Sequence, residues 1–79
     1  MSRSWTDKQG QYLAFIAMYT KVNGVAPAES DMQRYFRITA PSVHAMVVAL
    51  DAAGLIERTP RVSRSIRVLV APELLPRLE

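Results

Sequence analysis

The sequence predicts a mainly α domain closed by a small β-hairpin. Three observations carry that prediction. Apolar residues recur at helical spacing in blocks separated by turn formers as far as Leu50, and beyond Gly54 the period changes from 3.6 to 2. With no cysteine among 79 residues there is no disulfide scaffold and no Cys-based zinc or thiol site, so stability has to come from an apolar core. A chain this short buries only about 60 % of its unfolded surface, and a 49 % hydrophobic content can supply one such core. One domain over 1–79 is expected, with its core at 5–70 and a tail at 71–79.

Thr6-Asp-Lys-Gln9 has the form of a capping box, a hydroxyl followed three residues later by an amide. Tyr12, Phe15, Ile16, Tyr19 and Val22 then share one helical face, and Asn23-Gly24 ends the helix, which gives a first helix over 7–22 with Trp5 folded over its first turn. Val25-Ala-Pro27 is an extended connector. A second helix is expected over 28–36, with Glu29 and Asp31 where the dipole favours anions and with Met32 and Phe36 facing inward. Arg37-Ile38 makes the turn, Ile38 being its apolar anchor.

The third helix opens at Thr39-Ala-Pro-Ser, with Pro41 in the first turn where its missing N–H breaks no bond. Thr39 and Ala40 compete for the cap: the hydroxyl favours Thr39, while the residue before a proline resists the helical conformation. Val43, Met46, Val47 and Leu50 form the inward stripe, and Gly54 closes the helix. Residues 55–59 and 65–70 read as strands joined by a tip at Pro60-Arg-Val-Ser-Arg64. The tail is punctuated by prolines and offers Leu74, Leu75 and Leu78 for burial. Three helices followed by a hairpin make a winged helix-turn-helix.

Net charge is +3 and unevenly spread: residues 34–67 carry six arginines against Asp51 and Glu57. Guanidinium forks suit phosphate, so the asymmetry points to a polyanion partner. The outer face of the third helix holds Pro41, Ala45, Val48 and Ala52, flanked by Ser42, His44 and Ala49, with no charge among them. Two occupants fit such a face. A major groove would take Ala45 or Val48 against thymine methyls, Ser42 and His44 at base edges or phosphate, and the first-turn hydroxyls, Thr39 among them, beside free N–H groups. A partner subunit or the Leu-rich tail would instead pack the small apolar residues. Arg61, Ser63 and Arg64 at or beside the tip, with no acid nearby, are expected to reach backbone phosphate or the minor groove, the alternative being a solvated turn, and Arg34 and Arg37 to grip phosphates beside the groove. Tyr35 either offers a further hydroxyl to that backbone or is simply half-buried.

Other classes find little support. His44 has no partners for zinc or for a nucleophilic triad, and Thr39, Ser42 and Ser63 lack a base, so the chain is expected to be no enzyme and to hold no metal, cofactor or small-molecule ligand. Trp5, Tyr12, Phe15 and Phe36 read as core rather than as stacking platforms for single strands. The N-terminus shows no apolar leader and no apolar run approaches membrane-spanning length, so the expected location is the cytoplasm, at the nucleoid, with no membrane partner.

Trp5-Thr-Asp-Lys-Gln9 followed by Asn23-Gly-Val-Ala-Pro27 resembles the start of LexA-type repressor DNA-binding domains, which run Leu-Thr-x-x-Gln, a helix, then Gly-x-x-Pro. Pro41-Ser-Val-His44 is similar to that family's recognition-helix opening, Leu50-Asp-Ala-Ala-Gly-Leu-Ile56 to its Leu-x-x-x-Gly-x-Ile, and Arg64-Ser-Ile-Arg67 to the Arg-x-Ile after its wing. The resemblance covers about 5–70. It departs at Ala45, Met46 and Val48, where the family has charged and amide residues, and by about one residue fewer before the recognition helix. The family's self-cleaving peptidase has no counterpart after residue 70, so neither self-cleavage nor DNA-damage signalling is carried over. The resemblance implies a stand-alone winged helix-turn-helix that binds duplex DNA, and the expected function is that of a transcriptional regulator, a repressor. A winged helix used as a protein-interaction module is the alternative. For the tail two placements are open: packing on the first helix to help form a two-fold homodimer, or capping its own core.

Overall fold

The computed structural model describes residues 5–79. The reading of residues 1–4 as free of a leader lies outside the described residues. The element order is α1 (Asp7–Asn23), α2 (Glu29–Phe36), α3 (Ala40–Ala52), β1 (Ile56–Glu57), β2 (Arg67–Val68) and a 3-10 turn at Pro72–Leu74. This is the expected three-helix arrangement with a hairpin.

Each helix begins as its local chemistry dictates. At α1 the capping box forms in both directions: Gln9 N–H donates to Thr6 Oγ1 at 3.1 Å, and Thr6 N–H donates to Gln9 Oε1 at 3.0 Å. Ala28, the cap of α2, has no side-chain acceptor. Its own N–H instead donates to Asp31 Oδ2 at 2.8 Å, half of a capping box. Thr39 is the cap of α3, accepting from Ser42 N–H at 3.3 Å, and Ala40 is helical in spite of the proline that follows it.

The helix ends are equally local. Gly24 takes the left-handed conformation with φ 76° after α1. After α3, Gly54 does the same at φ 75°, while Leu55 N–H reaches Leu50 O and Gly54 N–H reaches Asp51 O, both at 3.0 Å. This double closure is a Schellman motif, and it passes the chain from α3 straight into β1. Arg37 ends α2 at φ 57°, a position where glycine would be usual.

The hairpin is shorter than expected. Its antiparallel register pairs Ile56 with Val68 and Glu57 with Arg67, and Leu69 N–H adds a bond to Leu55 O at 2.9 Å. Above this the ladder stops because the Ser65 hydroxyl takes over. It accepts from Thr59 N–H at 3.0 Å and lies 3.1 Å and 2.8 Å from the carbonyls of Thr59 and Val62. Thr59 to Val62 forms a tight turn, closed by Val62 N–H to Thr59 O at 3.1 Å, with Pro60 second and Arg61 third at φ 68°. That is the signature of a type II turn, whose third position normally calls for glycine.

The core gathers Tyr12, Leu13, Phe15 and Ile16 of α1, Met32 of α2, Val43, Val47 and Leu50 of α3, and Leu55, Ile56 and Ile66 around the hairpin. Tyr12 stacks on Phe36 with ring centroids 4.2 Å apart, and Phe15 meets Tyr35 at 4.7 Å, which fastens α1 to α2. Three expectations are corrected here. Val22 is 71 % exposed, because α1 outruns the elements packed on it. Met46 is only half-buried, at the edge of the α3 stripe. Leu74 is 64 % exposed, since the 3-10 turn points it outward while Leu75 and Leu78 pack on the core. The tail lies on α1 of its own chain: Gln11 Nε2 donates to Arg77 O at 2.9 Å, Glu79 N–H donates to Gln11 Oε1 at 2.8 Å, and Pro76 closes over Gly10 beside Trp5.

Candidate nucleic-acid interface

Because Val43, Val47 and Leu50 are fully buried, the rotation of α3 is fixed, and its outer face is the one the spacing predicted. Ser42, His44, Ala45, Val48, Ala49 and Ala52 are all exposed, Val48 at 42 %. Thr39 Oγ1 donates to Ser42 Oγ at 3.0 Å, which leaves the Ser42 O–H free to donate outward. His44 Nδ1 lies 3.3 Å from both carboxylate oxygens of Glu29, the first residue of α2. This contact crosses a cleft of about 460 Å³ whose walls are Glu29 and Ser30, His44, and the hairpin residues Arg58, Arg61 and Ser63. On the far side of α3, Lys8 and Gln9 of α1 line a second cleft beside Ser42 and Ala45.

The six arginines of residues 34–67 divide into two sets. Arg34 pairs with Asp31 at 2.6 Å, Arg58 with Asp51 at 3.2 Å, Arg64 with Asp31 at 3.1 Å, and Arg67 with Glu57 across the hairpin. Arg37 and Arg61 form no ion pair among the described residues. Both are exposed, and both hold left-handed backbone, with φ 57° and 68°. A left-handed non-glycine residue costs roughly 1–2 kcal/mol, so a long cationic side chain at such a position points to a use for the side chain.

Two expectations about the site need correction. Arg64 does have an acid beside it, Asp31, brought there by the fold from another element. Tyr35 turns its hydroxyl to the tail, donating to Glu79 O at 2.7 Å, and is not directed at a backbone partner outside the chain. Asp31 is the residue that sequence reasoning undervalued. It is 9 % exposed, and the Ala28 N–H, then Arg64 and Arg34, hold its carboxyl below the usual carboxylate range against the opposing effect of burial. Its signal was the missing hydroxyl at Ala28, which left that N–H in need of an acceptor. Glu29 and Lys8 were also passed over as neighbours of α3. The described residues contain no group of three or more His, Cys, Asp or Glu placed to hold a metal ion, and no helix long and apolar enough to cross a membrane.

Helix α2, the turn at Arg37–Ile38 and α3, followed by a hairpin that borders the α3 cleft, define a winged helix-turn-helix protein. The LexA DNA binding domain family matches residues 2–65, and the chain belongs to that family. It is 38 % identical over 68 residues to the LexA repressor of Thermosipho africanus (strain TCF52B), covering 86 % of this chain and 34 % of that protein. It is 35 % identical over 69 residues to the LexA repressor of Bartonella quintana (strain Toulouse), covering 86 % and 29 %. The chain thus spans about a third of the length of the curated relatives it matches.

Proposed function

We propose that this domain binds double-stranded DNA with sequence preference and acts as a transcriptional repressor, the role named for its LexA relatives. Helix α3 enters the major groove. Ala45 and Val48 meet thymine methyls, Ser42 and His44 meet base edges, and Thr39 with the first-turn N–H groups lies against phosphate. Arg37 at the turn and Arg61, with Ser63, at the hairpin hold the backbone and fix the register. Arg34, salt-bridged to Asp31 yet largely exposed, adds positive potential beside the turn. A domain with this role works in the cytoplasm, at the nucleoid.

One observation carries the reading. A helix face of small uncharged residues has Arg61 in the cleft beside it and Arg37 two residues before its cap, and both arginines are unpaired among the described residues and strained in backbone. The test is fluorescence anisotropy with a mixed-sequence duplex over a range of salt concentrations, followed by selection of preferred sequences from a random pool. Log K should fall linearly with log salt, with a slope of about −0.9 per phosphate contacted. Absence of binding, or a slope near zero, refutes it. The exposed Val48 and its small neighbours equally suit a protein partner, and an association insensitive to salt would favour that alternative. Pairing of two copies on half-sites about one helical turn apart would give the site length that a single recognition helix lacks. Sedimentation of the protein with a duplex of that length tests the homodimer.

A further inference from the structure

Residues 58–66 lie between the two strands and outside the ladder, so backbone pairing does not fix where the hairpin tip stands. Arg64 does. Its backbone is left-handed at φ 59°, and its side chain turns to the body of the domain. Nη1 lies 3.1 Å from Asp31 Oδ2, 3.1 Å from the Ala26 carbonyl and 3.2 Å from the Tyr19 hydroxyl. Its guanidinium carbon also stands 6.0 Å from the centre of the Tyr19 ring. One arginine thereby ties the hairpin to α1, to the connector and to α2. Asp31 is the hub of this arrangement. Its carboxylate is buried, caps α2 through the Ala28 N–H, and cannot leave with Arg64 if the guanidinium is drawn to a phosphate.

We infer that Arg64 is a positioning residue of the DNA-binding surface rather than a phosphate contact: with Asp31 it holds the hairpin tip so that Arg61 stands at the rim of the α3 cleft. The inference rests on the DNA-binding reading for its effect on affinity, and on the fold alone for its effect on the hairpin. A lysine would keep the charge but lose the fork that meets several oxygens at once.

The test compares Arg64→Gln, Asp31→Asn, their double variant, Arg64→Lys and Arg61→Gln in two assays. In the first, each is titrated with a mixed-sequence duplex at several salt concentrations. Arg64→Gln and Asp31→Asn should each weaken binding several-fold, the double variant no more than either single one, and Arg64→Lys should restore little. All should keep the wild-type salt slope, whereas Arg61→Gln should flatten it by about 0.9. In the second assay, amide hydrogen exchange without DNA, Arg64→Gln should remove protection at Thr59 and Val62 while Leu69, inside the ladder, keeps its own. If Arg64→Gln flattens the slope as Arg61→Gln does while Asp31→Asn binds normally, Arg64 is a phosphate contact and the inference falls. Unchanged exchange at Thr59 and Val62 overturns it as well. If the wild-type protein binds no duplex, the functional proposal fails, and the exchange assay alone decides the positioning role. Should Asp31→Asn or Arg64→Gln fail to fold, Tyr19→Phe, which removes one hydroxyl from the same nitrogen, takes their place in both assays.

Discussion

Replacing Arg61 by glycine should separate folding from binding. Arg61 is the third residue of the turn closed by Val62 N–H and Thr59 O, and its φ of 68° suits glycine. Relief of left-handed strain returns roughly 1–2 kcal/mol, and the extra freedom of glycine in the unfolded chain removes about 0.5–1 kcal/mol of that. The net change is a gain of between zero and about 1.5 kcal/mol, which at about 4–8 °C per kcal/mol for a domain of this size raises Tm by at most about 6–12 °C. The side chain forms no ion pair among the described residues, so the fold loses no ion pair with it. Binding should move the other way. A hydrogen bond to a charged phosphate is worth about 1.5–3 kcal/mol, so Kd for any duplex should rise by about ten- to a hundredfold. Thermal melting by circular dichroism and anisotropy titration across salt measure the two effects. A marked fall in Tm would show that Arg61 has a structural partner. Unchanged affinity and salt slope would remove the hairpin from the binding surface.

Other outcomes follow from the packing. Val47→Ala leaves a cavity in the fully buried stripe of α3 and should cost on the order of 2 kcal/mol, whereas Ser42→Ala and Ala45→Glu should change sequence preference and leave Tm nearly unaltered; equal destabilisation by both groups would mean the helix is rotated. Gly10→Ala should destabilise despite the better helix propensity of alanine, because the new methyl would stand 2.9 Å from Trp5 Nε1 and 3.1 Å from Pro76 Cγ. The emission of Trp5, the chain's one tryptophan, should shift to the red in that variant as the indole is displaced, and an unshifted spectrum would contradict the packing of the tail. Asp31 titrates lower in the folded state than in the unfolded chain, so on acidification the unfolded chain binds its proton first. Its contribution should therefore be intact above the ordinary carboxylate pKa of about 3.9 and be lost as pH falls through its lower folded value. Asp31→Asn should flatten that limb of the acid-unfolding curve, and an identical limb in the variant would argue against it.

The parts of the structure that depend on near neighbours in sequence were legible. Thr6 and Gln9, Thr39 and Ser42, and Gly24 and Gly54 act within a few residues of themselves, so their cap and turn chemistry could be read directly. The stripe of Val43, Val47 and Leu50 followed from periodicity in the same way. What escaped depends on long-range packing. Leu13 and Ala14 lie off the face marked by Tyr12 and Ile16, yet they are buried because α1 is covered from several sides, by α2, by β2 and by the tail. Val22 has the right spacing but no neighbour to bury it. The strands were overextended because a side chain, Ser65, closes the hairpin where a ladder was expected. Contact of the tail with α1 and capping of its own core were both left open, and within one chain the tail does both, while the turn of Leu74 to solvent was not foreseen. For the candidate surface, residue type identified the arginines but could not sort them, since Asp31 meets Arg64 across 33 positions of chain.

The junction at Gly54 and Leu55 has a consequence of its own. Leu55 N–H is bonded back to the last full turn of α3, while Leu55 O receives the Leu69 N–H from the opposite strand. One residue is therefore at once the end of the helix and the first rung of the hairpin, with no slack between them. In the proposed complex this junction fixes the base of the hairpin and Arg64 its tip, which together make the domain a ruler: the base pairs read by α3 and the phosphates held by Arg61 stand at a fixed offset along the duplex. A strand advances about 3.3 Å per residue and B-DNA about 3.4 Å per base pair. An insertion of one residue at the junction would thus displace the two marks by about one base-pair step, and it would also turn the strand's inward side chains outward. Such a protein could not adjust by sliding its hairpin. It would have to choose between the bases and the backbone, and its footprint on DNA would lose one or the other.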